Sequence, residues 1–331
     1  MGERTRSRRT TLSFVTVGLV VSGVFTWLAL RNVDLEQVWK SLRESNYWWV
    51  IPSVALLAAS QGVRALRWQY LFPAQTRPPY KPVLAATLLG QFFNNVLPAR
   101  AGEAARVIAL NRSAGTSATE IVATVVVERL YDVIALLVML FVMLPWLPEV
   151  TWVHAASILA IALVILTAAG VVVLVRWGER PARWLLRPVA RLPFVSIEQT
   201  ERAAASIHRG AASLYDPTLA LVAMTLTAAS WILLALSAWV LMKGFDLGLS
   251  PLAGGLVMVS VGLGMILPSS PAAVGVFEAA ALIALKAYGI DKSAALSYAL
   301  VLHAVNFVPY VIAGAVVLHG QAIAVRKQLA S

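Results

Sequence analysis

The chain has 331 residues, 59% of them hydrophobic and only 13% charged, with no cysteine and a mean hydropathy of +0.76. A soluble domain cannot hide that much apolar surface, so the composition indicates an integral helical membrane protein. The formal net charge of +11 fits basic cytoplasmic loops facing anionic headgroups rather than nucleic acid, and the lack of cysteine excludes disulfides, thiol nucleophiles and thiolate metal sites.

In chain order, Arg4, Arg6, Arg8 and Arg9 precede an apolar run over 12–30. That run has no small-residue cleavage site and reads as a retained helix rather than a signal peptide. Further full spans are predicted at about 48–70, 118–144, 152–175, 218–242 and 294–319. "RALRW", Arg64 to Trp68, closes the second span and reads as an interface anchor, with a phosphate contact as the alternative. Ser117 with Glu120 spells a capping box for the third span, and Asp216 before Pro217 a capped start for the fifth.

Two regions, 82–112 and 251–290, do not fit single spans. Each has a first apolar limb of about 16 residues that ends at a Leu-Pro pair and is followed by a second limb. Such a limb reaches ~24 Å, short of a ~30 Å hydrocarbon core. A re-entrant helical hairpin is the simplest reading, and two thin full spans are the alternative. With the N-terminus cytoplasmic and both hairpins re-entrant, 20 Lys or Arg fall on the inside and 6 on the outside, as the positive-inside rule requires.

The two hairpins resemble copies. Pro82, Pro98, Gly102, Gly115, Arg129 and Asp132 are separated by 15, 3, 12, 13 and 2 residues; Pro251, Pro268, Gly275, Gly289, His303 and Asn306 by 16, 6, 13, 13 and 2. Glu103 follows the first glycine and Glu278 comes three after the second. The predicted fold class is therefore an all-α polytopic membrane protein with about six full spans plus two re-entrant hairpins in an inverted-topology repeat. One transmembrane domain covers 1–320, with units at about 48–144 and 218–319, a linking helix at 152–175, a basic cytoplasmic loop at 176–217 and a cytoplasmic tail at 321–331.

The candidate site residues are polar groups inside this apolar frame. In "NNVLPARAGEAAR", Asn94, Asn95 and Arg100 lie at the first hairpin tip, where a helix N-terminus is a ready anion site. Arg100, Glu103 and Arg106 recur every three residues on one face; an interfacial amphipathic helix with its charges in water is the alternative. In "VVVERLYDV", Glu128, Arg129 and Asp132 lie well inside a span. The two carboxylates repel unless a cation separates them, either Arg129 or a hairpin arginine. Intramembrane charge is costly and marks function, although such a cluster can also only pin helices together. Ser269 and Ser270 lie at the second tip, and Glu278, His303 and Asn306 occupy positions matched to the first unit. His303 suits either a hydrogen-bonded helix contact or, with one of the carboxylates, proton coupling.

No catalytic motif is present, and the histidines, at 154, 208, 303 and 319, are too dispersed to suggest a metal cluster. Neither metal nor cofactor is expected, and the chain is read as a transporter rather than an enzyme. The arginines of the 176–217 loop, Arg176, Arg180, Arg183, Arg187, Arg191, Arg202 and Arg209, suggest amphipathic helices on an anionic leaflet.

"FFNNVLPARAGEAARV", "ATVVVERLYDV" and "LPSSPAAVGVFE" together resemble the lysylphosphatidylglycerol synthase transmembrane, or flippase-like, family. The resemblance implies a multi-pass protein of a bacterial or archaeal plasma membrane, with both termini cytoplasmic on the charge argument above. It further implies handling of an anionic phospholipid or a polyprenyl-phosphate-linked sugar. Some members carry an aminoacyl-transfer domain, and others act beside glycosyltransferases. This chain ends soon after its last predicted span, so no such enzyme domain is expected; a scaffold for a separate glycosyltransferase or lipid synthase is the alternative function. Where the family usually shows glycines before Gly-x-x-Glu, this sequence has Ala272 and Ala273.

Overall fold

The computed structural model describes residues 19–31, 33–97, 101–147, 209–265 and 270–330, with side chains to 323, together with Thr16, Ala162, Ile165, Ala205 and Ser206. Ten α-helices and no strand are found among the described residues. They are α1 (Leu19–Leu30), α2 (Leu35–Glu44), α3 (Val50–Tyr70), α4 (Tyr80–Val96), α5 (Ala101–Ala114), α6 (Ala118–Met143), α7 (Pro217–Gly244), α8 (Pro251–Gly264), α9 (Val276–Lys286) and α10 (Lys292–Ala330). Among the described residues three segments are long and apolar enough to cross a membrane: Tyr47–Tyr70, Pro217–Gly244 and Lys292–Ile323. Helix α6 has 26 residues, enough for ~39 Å, but carries charge at its middle. The predicted span 152–175 and most of the basic loop lie outside the described residues.

Aspartates start several helices by accepting the orphan N–H groups of the first turn. Asp34 accepts from Glu36 and Gln37, Asp216 from Thr218 and Leu219, and Asp291 from Ser293 and Ala294. The expected Ser117 capping box does not form, because Glu120 is used elsewhere. Ser117 is the N-cap residue but its side chain accepts no bond. Glu120 is buried and instead takes Thr76 Oγ1 at 2.7 Å and Arg209 Nε at 3.4 Å. Helix α2 lies between the first two predicted spans, where no helix is expected from the sequence; it buries Val38 and leaves Trp39 exposed.

Both irregular regions are antiparallel helix pairs. In the first, a methyl added to Gly90 would meet Arg106 and the Gly102 carbonyl, and one added to Gly102 would meet Asn94 and the Gly90 carbonyl. In the second, Gly264 lies against Val276 and Ala280. The glycines thus let each pair of limbs close to backbone distance.

The helices pack reciprocally. Helices α3 and α7 run antiparallel, since Ser53 bonds Ser237 and Ser60 bonds Ser230. Helix α4 packs on α10, where Gly314 admits Phe92; helix α8 packs on α6, where Gly262 admits Leu136. Each hairpin therefore leans on the final helix of the other half.

The apolar core is double. One part gathers Leu57, Leu136, Leu140, Leu241, Leu256, Leu285 and Leu302; the other gathers Trp68, Leu71, Phe72, Val83, Leu110 and Ile121. Along α3 the two parts are separated by Ser60, Gln61 and Arg64, along α6 by Glu128 and Asp132, and along α7 by Thr227 and Ser230. A polar layer lies between two greasy ones.

Candidate functional site

The centre of that layer is Arg67. Its side chain is fully buried, with Nη2 2.9 Å from Glu128 Oε1 and Nη1 2.6 Å from Asp132 Oδ1. Glu128 and Asp132 are one helical turn apart on α6, so their mutual repulsion requires an intervening cation. The sequence reading sought that cation at Arg129 or in the hairpin; it is chiefly Arg67, from α3. "RALRW" is accordingly not an interface anchor: Trp68 is 1% exposed and its Nε1 donates to Thr124 Oγ1 at 3.0 Å.

Three more arginines complete the layer. Arg106 of α5 bonds Glu128 with both terminal nitrogens, lies 3.6 Å from Glu103 and stacks 3.9 Å from the Trp68 ring. Arg64 Nη2 reaches Asp132 Oδ2 at 3.3 Å, and Arg129 Nη1 reaches it at 3.4 Å. Arg129 Nη2 also bonds Glu103 Oε1 across to the first hairpin. Trp231 Nε1 donates to Asp132 Oδ1 at 3.2 Å. The network therefore ties four arginines to three carboxylates, a formal charge of +1 among the described residues.

Exposure within the network is uneven. Arg67 and Arg106 are enclosed, whereas the Arg129 side chain is 46% exposed and Glu103 28%. Arg129 shares its outward face with Val126 and Val122, one and two turns earlier, so the accessible guanidinium rises from a strip of two valines. Several buried N–H groups also lack an acceptor among the described residues: Asn95 Nδ2, Gln61 Nε2, Arg67 Nε and Arg106 Nε. Such groups are rare in folded proteins and demand a reason. Glu103 Oε2 and Gln61 Oε1 are likewise buried without a hydrogen-bond partner among the described residues, so the layer keeps both donors and acceptors in reserve.

The other candidates divide. Asn94 Oδ1 accepts the Gly102 N–H at 2.9 Å and so fixes the first hairpin. Arg100 and Ser269 lie outside the described residues. The Ser270 N–H donates to Ser22 Oγ of α1 at 2.9 Å. Asn306 bonds the Leu302 carbonyl of its own helix at 2.9 Å and does not join a charged group.

Glu278 and His303 form a second, smaller group. His303 Nδ1 lies 2.6 Å from Glu278 Oε1 and Nε2 lies 3.0 Å from the Ala272 carbonyl. Phe277 stacks on the imidazole with ring centres 4.5 Å apart. Glu278 Oε2 accepts the Gly275 N–H at 2.7 Å, which caps α9. Ala272 and Ala273 have φ of 58° and 57°, a left-handed geometry that costs an alanine about 1–2 kcal/mol. Among the described residues no hydrogen bond or ion pair joins this group to the arginine layer.

Arg64 and Arg67 were missed because a span-closing arginine next to tryptophan reads as an anchor. The available signal was the carboxylate excess of "VVVERLYDV", which demanded cations from outside its own helix.

The sequence profile of the Lysylphosphatidylglycerol synthase TM region family matches residues 15–314, and the chain belongs to that family. A UPF0104 membrane protein of Pyrococcus horikoshii is 27% identical over 151 residues, covering 44% of this chain and 43% of that protein. The match thus spans less than half the length of the curated relative.

Proposed function

We propose that this member of the Lysylphosphatidylglycerol synthase TM region family moves an anionic lipid across a bacterial or archaeal plasma membrane. The cargo is a phosphate-bearing lipid, either a phospholipid or a polyprenyl-phosphate-linked sugar. The observation that carries the proposal is Arg129, a half-exposed guanidinium in a valine strip at the edge of a cationic layer. A soluble anion gains nothing from that strip. A lipid phosphate can arrive there sideways, with its tail remaining in hydrocarbon.

The layer also suits the charge of such a cargo. Ionised side chains at mid-membrane cost about 2.5–3.5 kcal/mol each on insertion scales, and pairing offsets most of that cost. One phosphodiester charge would bring the described network from +1 to neutrality. Glu103, the most exposed of its carboxylates, competes for Arg129 and so keeps phosphate binding reversible. Arg67 and Arg106 hold Glu128 and Asp132 in place throughout. The two helix pairs are read as re-entrant hairpins, and the reciprocal packing of α4 on α10 and α8 on α6 supports an inverted repeat whose halves exchange access.

The test is movement of fluorescent phosphatidylglycerol in proteoliposomes. Wild type should move the probe, and Arg129→Ala should slow it at least about tenfold, the loss expected from one charge-assisted contact. Equal rates would remove Arg129 from the transport path.

A further inference from the structure

The Glu278–His303 pair occupies the same place in the second half as Glu103–Arg129 does in the first. Arg129 and His303 are 174 residues apart, as are Gly115 and Gly289, and Glu103 and Glu278 are 175 apart. In both halves the final helix reaches back to the carboxylate at the start of the hairpin's second limb. The cation is permanent in the first half and titratable in the second.

The geometry suits a pair that holds two protons. Nε2 faces a backbone carbonyl at 3.0 Å, which can only accept, so Nε2 carries a proton. Nδ1 lies 2.6 Å from a carboxylate oxygen, so a second proton lies between them, on either atom. With two protons the pair is neutral as a whole. Release of one leaves a net charge of −1 and only one N–H for two acceptors. Either the Glu278 contact or the Ala272 contact must then open.

We propose that Glu278 and His303 form a proton-binding pair whose loading closes the second hairpin and whose unloading frees it. The proposal deepens the transport reading above and rests on it for the use made of the proton. Both contacts are built to report on hairpin position. Ala272, whose carbonyl faces His303 Nε2, has left-handed geometry, and Glu278 caps α9 through Gly275. Gly275 in turn lies against Ser22 and Thr26 of α1, so the turn cannot relax without moving on that helix.

Among the described residues few other charges bear on the pair. Helices α1 and α8 carry no titratable side chain. The other titratable group of α9 is Lys286, at its far end. On α10, Tyr298 donates to the Ala238 carbonyl, and Tyr310 is seven residues beyond His303. Helix α4, which packs against 271–273, has Tyr80 and Lys81 at its opposite end, with Tyr80 bonded to the Gly62 carbonyl. Around His303 itself are the Phe277 and Phe307 rings.

Two measurements test this. The first needs no transport: 15N NMR of histidine-labelled protein in nanodiscs, with His154→Asn, His208→Asn and His319→Asn leaving His303 as the reporter, across about pH 5 to 9. Glu278→Gln should shift its proton affinity by more than about tenfold, one pKa unit. An unchanged midpoint would overturn the pair. The second applies a pH gradient to the proteoliposomes. One proton per cargo makes the steady-state distribution of fluorescent phosphatidylglycerol shift about tenfold per pH unit. His303→Gln should abolish that response relative to its own gradient-free rate. Probe movement that ignores the gradient in wild type would sink proton coupling while leaving transport standing. No movement at all, with a normal NMR result, would sink transport and with it the use assigned to the proton.

Discussion

Ser60 donates to the Ser230 carbonyl at 2.8 Å across 170 residues of sequence, the same displacement that relates Pro98 to Pro268 at the two hairpin breaks. A two-fold axis relating the halves would bring a residue and its own counterpart together at the helix crossing, and these serines meet that condition. Ser60→Ala should cost about 0.6 kcal/mol, the average for an interhelical bond in a bilayer. Ser60→Leu should cost about 1–3 kcal/mol by forcing α3 from α7. Thermal unfolding in detergent distinguishes the two.

Stability and transport should separate at two arginines of the same network. Arg67→Ala strands Glu128 and Asp132 without their shared cation and should destabilise by about 3–5 kcal/mol, as removal of one buried partner does. Arg129 lies at the open edge of the network, 46% exposed, and no carboxylate depends on it alone, so Arg129→Ala should destabilise clearly less than Arg67→Ala while losing lipid movement. Parallel melting curves and flux assays check this; an Arg67→Ala protein as stable as wild type would mean that the layer is not held by charge.

Glycine substitutions should have opposite signs. A methyl on Gly102 would collide with the Gly90 carbonyl and Asn94, so Gly102→Ala should destabilise by about 1–3 kcal/mol. Gly23 of α1 has no atom within 4 Å of its added methyl, and Gly23→Ala should stabilise by about 0.5–1 kcal/mol through helix propensity. Both are read from melting temperature.

At Ala272 the left-handed backbone predicts a gain from glycine. Relief of about 1–2 kcal/mol exceeds the entropy of about 0.4–1 kcal/mol that glycine adds to the unfolded chain. Ala272→Gly should therefore raise the melting temperature, and Ala272→Val should lower it.

The helical frame was legible because membrane helices write themselves in length and apolarity. Helix α7 begins at the predicted Asp216–Pro217 signal, α4 ends directly before the first Leu-Pro pair, and α8 ends at Gly264, three residues short of the second. Glu128 and Asp132 were legible as a charged cluster because bare carboxylates inside a span demand partners. Their partners were not, because Arg64 and Arg67 sit 61 and more residues away and only the packing of α3 on α6 brings them in. Glu120 misled for a similar reason: a local capping pattern lost to tertiary partners at Thr76 and Arg209. The match between His303 and Arg129 was visible as spacing, but the bond of each to its hairpin carboxylate required the fold.

The most direct measurement is the structure of the protein in nanodiscs of phosphatidylglycerol, resolved well enough to see headgroups. The account predicts a phosphate within hydrogen-bond distance of Arg129, with Glu103 turned away and Arg67 still between Glu128 and Asp132. Phosphates confined to the membrane surfaces, with Arg129 still bound to Glu103, would contradict it.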